Sequence, residues 1–126
     1  MRTMLAGKIH RATVTEANVD YEGSITIDAD LMKAADILPY ELVHILDITN
    51  GARLETYAIE GKAESGEICV NGAAGLLVRD HDLVIILHYV TVSEEEAHRL
   101  KPHIVRVDAK NRIIATTDKI TPHNRY

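Results

Sequence analysis

The sequence predicts a mainly β protein: a small barrel of six or seven short strands that carries two short helices. Two observations predict this class. The 126-residue chain is 46% hydrophobic but contains neither Phe nor Trp, so its core has to be built from aliphatic side chains, many of them β-branched. Apolar runs also recur at short intervals between polar or glycine-containing segments, without the regular alternation of strand and helix that a βαβ protein requires.

The strand-forming runs are bounded by turn residues. Residues 4–15 and 24–27 form the first two, and the polar segment 16–23 between them is predicted as a loop, so that Ser24 opens a strand. Asn50-Gly51 predicts a tight hairpin, because this dipeptide accepts the positive φ angles of such a turn. The remaining runs are residues 42–48, 54–59, 67–70, 83–92, 104–107 and 113–116.

Two segments carry helix signals. Asp28 can cap a helix that extends to Asp36, since Pro39 blocks any continuation. Ser93 followed by Glu96 has the form of a capping box, which predicts a second helix ending near residue 100, before Pro102. Both helices are short and are predicted to lie outside the barrel strands.

Composition favours one cytoplasmic domain over residues 1–126. The net charge is -5 and the 14 Lys and Arg residues are scattered, so a nucleic-acid partner is not expected. The N-terminal residues form neither a signal peptide nor a membrane span, which predicts a cytoplasmic protein without a membrane partner.

The metal-ligating residue types show no site pattern. Cys69 is the only cysteine, which excludes an intramolecular disulfide, and its apolar neighbours favour an inert, packed thiol. No two of the seven histidines lie four residues apart, the spacing that brings two ligands together on a helix. No metal is therefore expected.

Three polar or glycine-containing islands stand among the apolar strands. They are Tyr21-Glu-Gly-Ser24, the segment 49–57 that reads Thr-Asn-Gly-Ala-Arg-Leu-Glu-Thr-Tyr, and Asn71-Gly-Ala-Ala74. Each island is unremarkable alone, because a lone Gly-Ser is usually a turn. The chain also lacks the nucleophile elbow, the phosphate loop, the dinucleotide fingerprint and the H-E-x-x-H motif.

The islands in this order and spacing, preceded by Gly7-Lys-Ile-His-Arg11, resemble the bacterial aspartate 1-decarboxylases from Met1 to about Asp108. These are small cytoplasmic enzymes that make β-alanine for pantothenate and coenzyme A. The chain departs from the family at residues 80–82, where Asp-His-Asp replaces Pro-Gly-Asp, and at Leu46, where some members carry Trp. The resemblance implies a double-psi β-barrel.

The resemblance also implies a self-made cofactor. Ser24 attacks the carbonyl of Gly23, and the chain separates into residues 1–23 and 24–126, with a pyruvoyl group derived from Ser24 at the new terminus. That group forms a Schiff base with the amino group of L-aspartate and accepts the electrons released with CO₂. Whether the cleavage is spontaneous or needs a maturation factor stays open.

Further roles follow from the resemblance, residue by residue. Tyr57 is the proton donor, since a phenol is protonated at neutral pH. Arg53 and Lys8 bind the substrate carboxylates, and a guanidinium can do so with two hydrogen bonds. The other substrate-site residues are Thr56, which holds the scissile carbonyl, Asn71, which positions oxygens, and Gly72, Ala73 and Ala74, which frame the substrate.

Thr56 and Tyr57 are consecutive, so on a regular strand their side chains face opposite sides. Both can serve one pocket only through a bulge, or by serving sites on adjacent subunits. The family's homotetramer, with its sites at subunit interfaces, fits the second option.

Two other functions remain open from the residues. The first is a non-enzymatic β-barrel module for binding or assembly, in which Gly23-Ser24 is an ordinary turn and the chain stays uncleaved. The second is a small hydrolase that uses the intact Ser24 hydroxyl, although no His and acid partner can be assigned from spacing.

Overall fold

A computed structural model describes residues 1–124. All nine strands in this part of the chain belong to one sheet, in the order β2-β6-β3-β5-β4-β7-β1-β8-β9. The prediction of a mainly β protein is confirmed. The strands are β1 (Arg2–Thr13), β2 (Glu16–Asn18), β3 (Ser24–Asp28), β4 (Leu42–Asp47), β5 (Arg53–Gly61), β6 (Ile68–Asn71), β7 (Leu83–Val92), β8 (His103–Val107) and β9 (Ile113–Thr117).

The sheet curls until strands from its two ends are bonded to each other. The backbone N–H of Thr15, just after β1, donates to the carbonyl of Ile68 in β6 at 2.8 Å. The Asn111 amide donates to the carbonyls of Thr13 and Gly66, each at 2.8 Å. These bonds close the sheet into a small barrel, while the double-psi topology stays a prediction.

The strand count exceeds the predicted six or seven. One reason is that Glu16–Asn18, predicted as part of a loop, forms the parallel edge strand β2 against β6. Edge strands of this length have too few residues to show a period-2 pattern, so sequence periodicity does not detect them. The prediction that Ser24 opens a strand is confirmed, because β3 begins there.

Both helices form where their caps predict. The carboxylate of Asp28 accepts from the backbone N–H of Asp30, and α1 (Ala29–Ala35) ends at Asp36 with a φ of 60°. The capping box of Ser93 and Glu96 opens α2 (Glu94–Arg99). A 3₁₀ helix covers Gly72–Leu76. None of the helices described here is long and apolar enough to span a bilayer.

The interior is the aliphatic core that the composition predicts. It is built mainly from β-branched residues on the inner faces of the strands. The fully buried isoleucines are Ile9, Ile25, Ile27, Ile45, Ile68 and Ile86. Such stiff side chains pack well on a pleated surface.

Helix α1 packs against β1 through a glycine. A Cβ added at Gly7 would lie 2.1 Å from the Ala35 carbonyl oxygen and 2.4 Å from Nε2 of His88. The buried His88 ring lies within hydrogen-bond distance of Ala35 O and of the Glu41 carboxylate, 2.8 Å from each. Gly7 therefore leaves the space in which His88 joins the helix end to the sheet.

The departure from the family at residues 80–82 has a local structural counterpart. His81 has a φ of 73°, in the left-handed region where a glycine is accommodated without strain. Hydrogen bonds to residues 14–17 hold the turn: the Asp80 carboxylate accepts from the N–H of Ala17 at 2.9 Å, and the backbone N–H of His81 donates to the carbonyl of Val14 at 2.8 Å.

The β4–β5 hairpin is confirmed, but its turn is longer than predicted. Asp47 and Ala52 form the last backbone pair, and only Gly51 of the Asn50-Gly51 dipeptide has a positive φ. The Asp47 carboxylate accepts from the N–H groups of Thr49 and Asn50 and so replaces the two-residue turn with a capped loop.

A buried pair of carboxyl groups, Asp47 and Asp82, lies at this hairpin. Burial, followed by the hydrogen bond to Asp82, raises the pKa of Asp47 from 3.8 to about 6. The same hydrogen bond lowers the pKa of Asp82. Because the folded chain keeps a proton on Asp47 that the unfolded chain releases, this stabilisation is complete below pH 3.8 and is lost as the pH rises through about 6.

Asp47→Asn is therefore expected to stabilise the protein relative to wild type at neutral pH, by about 1 kcal/mol. The amide still accepts from Thr49 and Asn50, and it donates to Asp82 without a second charge. Urea unfolding at a series of pH values, with Ser24→Ala in both chains to keep them whole, measures the effect. The stability difference should grow between about pH 4 and about pH 6.

The exposed Asp20→Asn is the matched control, and its stability difference should not change over the same pH interval. A pH-independent difference for Asp47→Asn would contradict the assignment of a retained proton to Asp47.

Candidate active site

The site is built around Ser24, the first residue of β3. Its side chain is fully buried, although it follows an exposed loop. The hydroxyl oxygen accepts from Nδ2 of Asn71 at 3.0 Å and lies 3.4 Å from the carbonyl oxygen of Glu22, to which it can donate. A buried hydroxyl with a side-chain donor is held in one position, as a reacting group requires.

Asn71 lies opposite Ser24 in the antiparallel β3–β6 pair. Its Nδ2 also donates to the hydroxyl of Thr26 at 3.1 Å, and its Oδ1 accepts from the thiol of Cys69 at 2.9 Å. The predicted positioning residue thus has all the polar atoms of its buried amide paired. These four side chains form a polar layer on one face of β3 and β6, opposite the isoleucine core.

Gly72 holds the loop before Ser24 in place. Its φ is 66°, and a Cβ there would lie 2.6 Å from Cα and 2.7 Å from N of Gly23. The backbone at residue 72 therefore approaches the Gly23-Ser24 junction more closely than any side-chain-bearing residue allows. A Cβ at Gly23 would meet no atom within 4 Å, so the loop is open on that side of Gly23.

Strand β5 runs beside the same junction. β3 and β5 are parallel and pair from Ile25 and Ala58 onward. In continuation of that register Tyr57 corresponds to Ser24, since each precedes the first pair by one residue. Thr56 and Tyr57 therefore lie on β5 just before its first pair with β3.

The faces of β5 separate Thr56 from Tyr57. Thr56 pairs with the fully buried Val43 and shares its inner face. Tyr57 and Arg53 lie on the outer face and are exposed. The β4–β5 ladder keeps a continuous register from Leu42–Tyr57 to Leu46–Arg53, so a bulge does not turn the two side chains to one side.

Lys8 lies on β1, which pairs with β7 and β8 rather than with β3, β5 or β6. It lies near His10, which lines a cavity of about 260 Å³ together with residues that include Arg11 and Arg106.

This second region is cationic. Burial, followed by the charges of Lys8, Arg11 and Arg106, lowers the pKa of His10 to about 4. His10 is therefore neutral at physiological pH, and the positive charge of the region comes from the lysine and the two arginines.

The small residues predicted to frame the substrate follow β6. Gly72 is buried, Ala73 is exposed and Ala74 is half-buried in the 3₁₀ helix. Among residues 1–124, no three His, Cys, Asp or Glu side chains converge on a position that could hold a metal ion.

Sequence reasoning missed the involvement of Cys69 and Thr26 in the site. Their spacing contains a signal: Thr26 follows Ser24 by two residues, and Cys69 precedes Asn71 by two. Residues two apart on a strand share a face. The predicted inert thiol is indeed buried, but it is also hydrogen bonded to a predicted site residue.

Fold and site together define a small β-barrel protein with a polar site around a buried serine, Ser24, that directly follows an exposed glycine. Comparison with known proteins specifies the class further. The family model described as aspartate decarboxylase matches residues 1–114. The chain is 57% identical to the aspartate 1-decarboxylase of Corynebacterium efficiens over 115 residues. This aligned region covers 91% of this chain and 85% of that protein.

A second relative is the aspartate 1-decarboxylase of Dehalococcoides mccartyi. It is 53% identical over 121 residues, covering 96% of this chain and 98% of that protein. The chain belongs to the aspartate decarboxylase family.

Proposed function

We propose that this chain is a proenzyme that cuts itself between Gly23 and Ser24 and then decarboxylates L-aspartate to β-alanine and CO₂. The observation that carries the proposal is the buried Ser24 hydroxyl, held by Asn71 at a junction against which Gly72 packs. The decarboxylase activity in this proposal follows from membership of the aspartate decarboxylase family. In line with the resemblance, we propose that the enzyme acts in the cytoplasm.

The first step uses only backbone and hydroxyl atoms. Oγ of Ser24 attacks the carbonyl carbon of Gly23, the C–N bond breaks, and the amide becomes an ester with a free amine on residue 24. The shift loses amide resonance. Thr56 lies on β5, which pairs with β3 from Ile25 onward, and its hydroxyl stabilises the charge that develops on the carbonyl oxygen of Gly23.

Elimination then separates the two chains. The α-hydrogen of residue 24 leaves as a proton, and the ester oxygens leave as the carboxylate of Gly23. Water adds to the remaining unsaturated amine, and ammonia departs. The products are residues 1–23 and a pyruvoyl-terminated chain of residues 24–126.

The surroundings of Ser24 fit such a group. The position is buried, and the two N–H bonds of Asn71 point at oxygen atoms, as a carbonyl acceptor requires. When bound to substrate, the pyruvoyl group supplies the electron sink that pyridoxal phosphate supplies elsewhere.

The outer face of β5 provides groups for a dianionic substrate. Arg53 binds a carboxylate through its planar guanidinium. Tyr57, opposite residue 24 in the register, returns a proton to the substrate carbon. Gly72, Ala73 and Ala74 leave room for the ligand beside β6.

We further propose a homotetramer whose sites form between subunits. The position of Lys8 supports this arrangement, because β1 pairs with none of the strands that carry the Ser24 site and a neighbouring copy can supply the lysine. The opposite faces of Thr56 and Tyr57 support it as well.

The two alternative functions have less support. A hydrolase that uses the intact serine needs a base beside Oγ, whereas the partners of Ser24 are an amide nitrogen and a backbone carbonyl. Ser24 is also fully buried, which denies a substrate access before cleavage. A binding module with an uncleaved chain does not account for the close approach of residue 72 to the junction.

Intact mass spectrometry and a β-alanine assay test the proposal, with Tyr57→Phe separating its two steps. Wild type should yield residues 1–23 and a keto-terminated 24–126 and convert aspartate to β-alanine. Tyr57→Phe should be cleaved normally but lose activity by about 100-fold or more, because it lacks the proton donor.

Exposed Tyr40→Phe is the matched control and should retain activity. Wild type that stays whole after co-expression with the proteins of its source, which would include any maturation factor, would overturn the proposal. Full activity of Tyr57→Phe would overturn the role of Tyr57.

A further inference from the structure

The thiol of Cys69 lies directly behind the Ser24 site. Its Sγ is 2.9 Å from Oδ1 of Asn71 and 3.4 Å from Oε2 of Glu16. A thiol has one hydrogen, and both neighbouring atoms are acceptors. The shorter contact is to Asn71, so the thiol hydrogen is directed at the amide oxygen.

Cys69 remains a donor at physiological pH. Burial, followed by the hydrogen bond and the negative charge of Glu16, raises the pKa of the thiol to about 12. The protonated thiol donates to the amide oxygen of Asn71 at 2.9 Å, so it favours the orientation in which this oxygen faces Cys69.

The other partners of Asn71 select an orientation less strongly. Ser24 and Thr26 contact the opposite end of the amide, and each hydroxyl can either donate or accept. If the amide turned over, Thr26 would reverse its hydrogen bond, and Ser24 would donate to Asn71 in place of its long, 3.4 Å contact with the Glu22 carbonyl. The 2.9 Å contact with the thiol is the shorter of the two contacts that favour the observed orientation.

The orientation matters for the chemistry at Ser24. In the observed arrangement an N–H of Asn71 points at Oγ and stabilises the negative charge that develops there as the hydroxyl loses its proton. In the reversed arrangement an amide oxygen would face that charge and oppose it. A small local rotation would thus change the reactivity of the nucleophile.

We propose that Cys69 is a positioning residue for self-cleavage, acting through Asn71 to keep an N–H donor on the Ser24 hydroxyl. The inference rests on the proposed self-cleavage at Gly23-Ser24. It assigns to the buried thiol a role in maturation; in the mature enzyme the carbonyl at residue 24 can only accept, so it selects the N–H of Asn71 without the thiol.

The test compares the rate of cleavage in four chains, followed by intact mass from the moment of cell-free synthesis. Cys69→Val and Cys69→Ala remove the donor, and we expect each to slow cleavage about tenfold, the effect of losing one hydrogen bond in the transition state. Cys69→Ser retains a donor and should cleave at a rate close to that of wild type. Once cleaved, all four chains should decarboxylate aspartate equally.

A second measurement determines the orientation of the Asn71 side-chain amide in chains that cannot be cleaved. In a Ser24→Ala background, the side-chain NH₂ protons of Asn71 should show NOEs to the Thr26 side chain when Cys69 or Cys69→Ser is present. With Cys69→Val, NOEs should also appear to the methyl groups of the substituted side chain. Thermal unfolding of the same chains shows whether stability differs.

The outcomes separate the two proposals. Wild type that cleaves, together with Cys69→Val that cleaves equally fast, overturns the role of Cys69 alone. Wild type that never cleaves overturns the proposed function, and NOEs that do not change among the variants then also overturn the orienting role. Slow cleavage rescued by Cys69→Ser supports both.

Discussion

Replacing Ser24 with alanine is expected to leave the chain whole and without decarboxylase activity. The substitution removes the only atom that can attack Gly23, so the loss should be complete rather than partial. Ser24 is fully buried and small, and alanine occupies the same space at the start of β3. Intact mass spectrometry after warm incubation should show one species of full length.

Thr26→Val is the matched control for this experiment. It removes the second hydroxyl that accepts from Asn71, at 3.1 Å, while leaving Ser24 unchanged. This variant should still cleave. Two fragments from Ser24→Ala would show that another group cuts the chain and would disprove the role of Ser24.

The second large effect is expected from Gly72→Ala. The new Cβ would lie 2.6 Å from Cα of Gly23, and residue 72 would have to keep a φ of 66°. Something has to shift, and the loop before Ser24 is the nearest neighbour. Because a displacement of about 1 Å can misalign a reacting pair, we expect cleavage to slow about 100-fold. Intact mass over time measures the rate.

Gly51→Ala is the control that distinguishes backbone strain at a positive φ from the collision of a new Cβ with Gly23. Its φ of 79° imposes a similar backbone cost, but a Cβ there meets no atom within 4 Å. Both variants should therefore lose stability, by about 1–2 kcal/mol for a left-handed alanine, and only Gly72→Ala should cleave slowly. Equal cleavage rates in the two variants would refute the proposed contact between residues 72 and 23.

Local sequence patterns predicted most of the secondary structure. The caps at Asp28 and Ser93 predict α1 and α2 because a side-chain oxygen satisfies N–H groups within the next three residues. The absence of Phe and Trp similarly predicted an aliphatic core. The double-psi topology was predicted only from the family resemblance, since the order of strands in a sheet does not follow from their spacing in the sequence.

Predictions failed where a residue outside the recognised pattern decides the local geometry. Glu16–Asn18 is a strand because β6 lies beside it, and no pattern within three polar residues reveals that partner. The turn after β4 is long because the Asp47 carboxylate caps it, which overrides the preference of Asn50-Gly51 for a two-residue turn.

By itself, the sequence determined the class of fold, the helix ends, the start of a strand at Ser24 and, through its islands, the candidate residues of the site. Only the tertiary structure decided which of them meet. It placed Gly72 against Gly23, joined Cys69 to Asn71 and kept Lys8 on a separate part of the sheet. The physical reason is that caps and periods act over a few residues, whereas register and strand order depend on how the whole sheet closes.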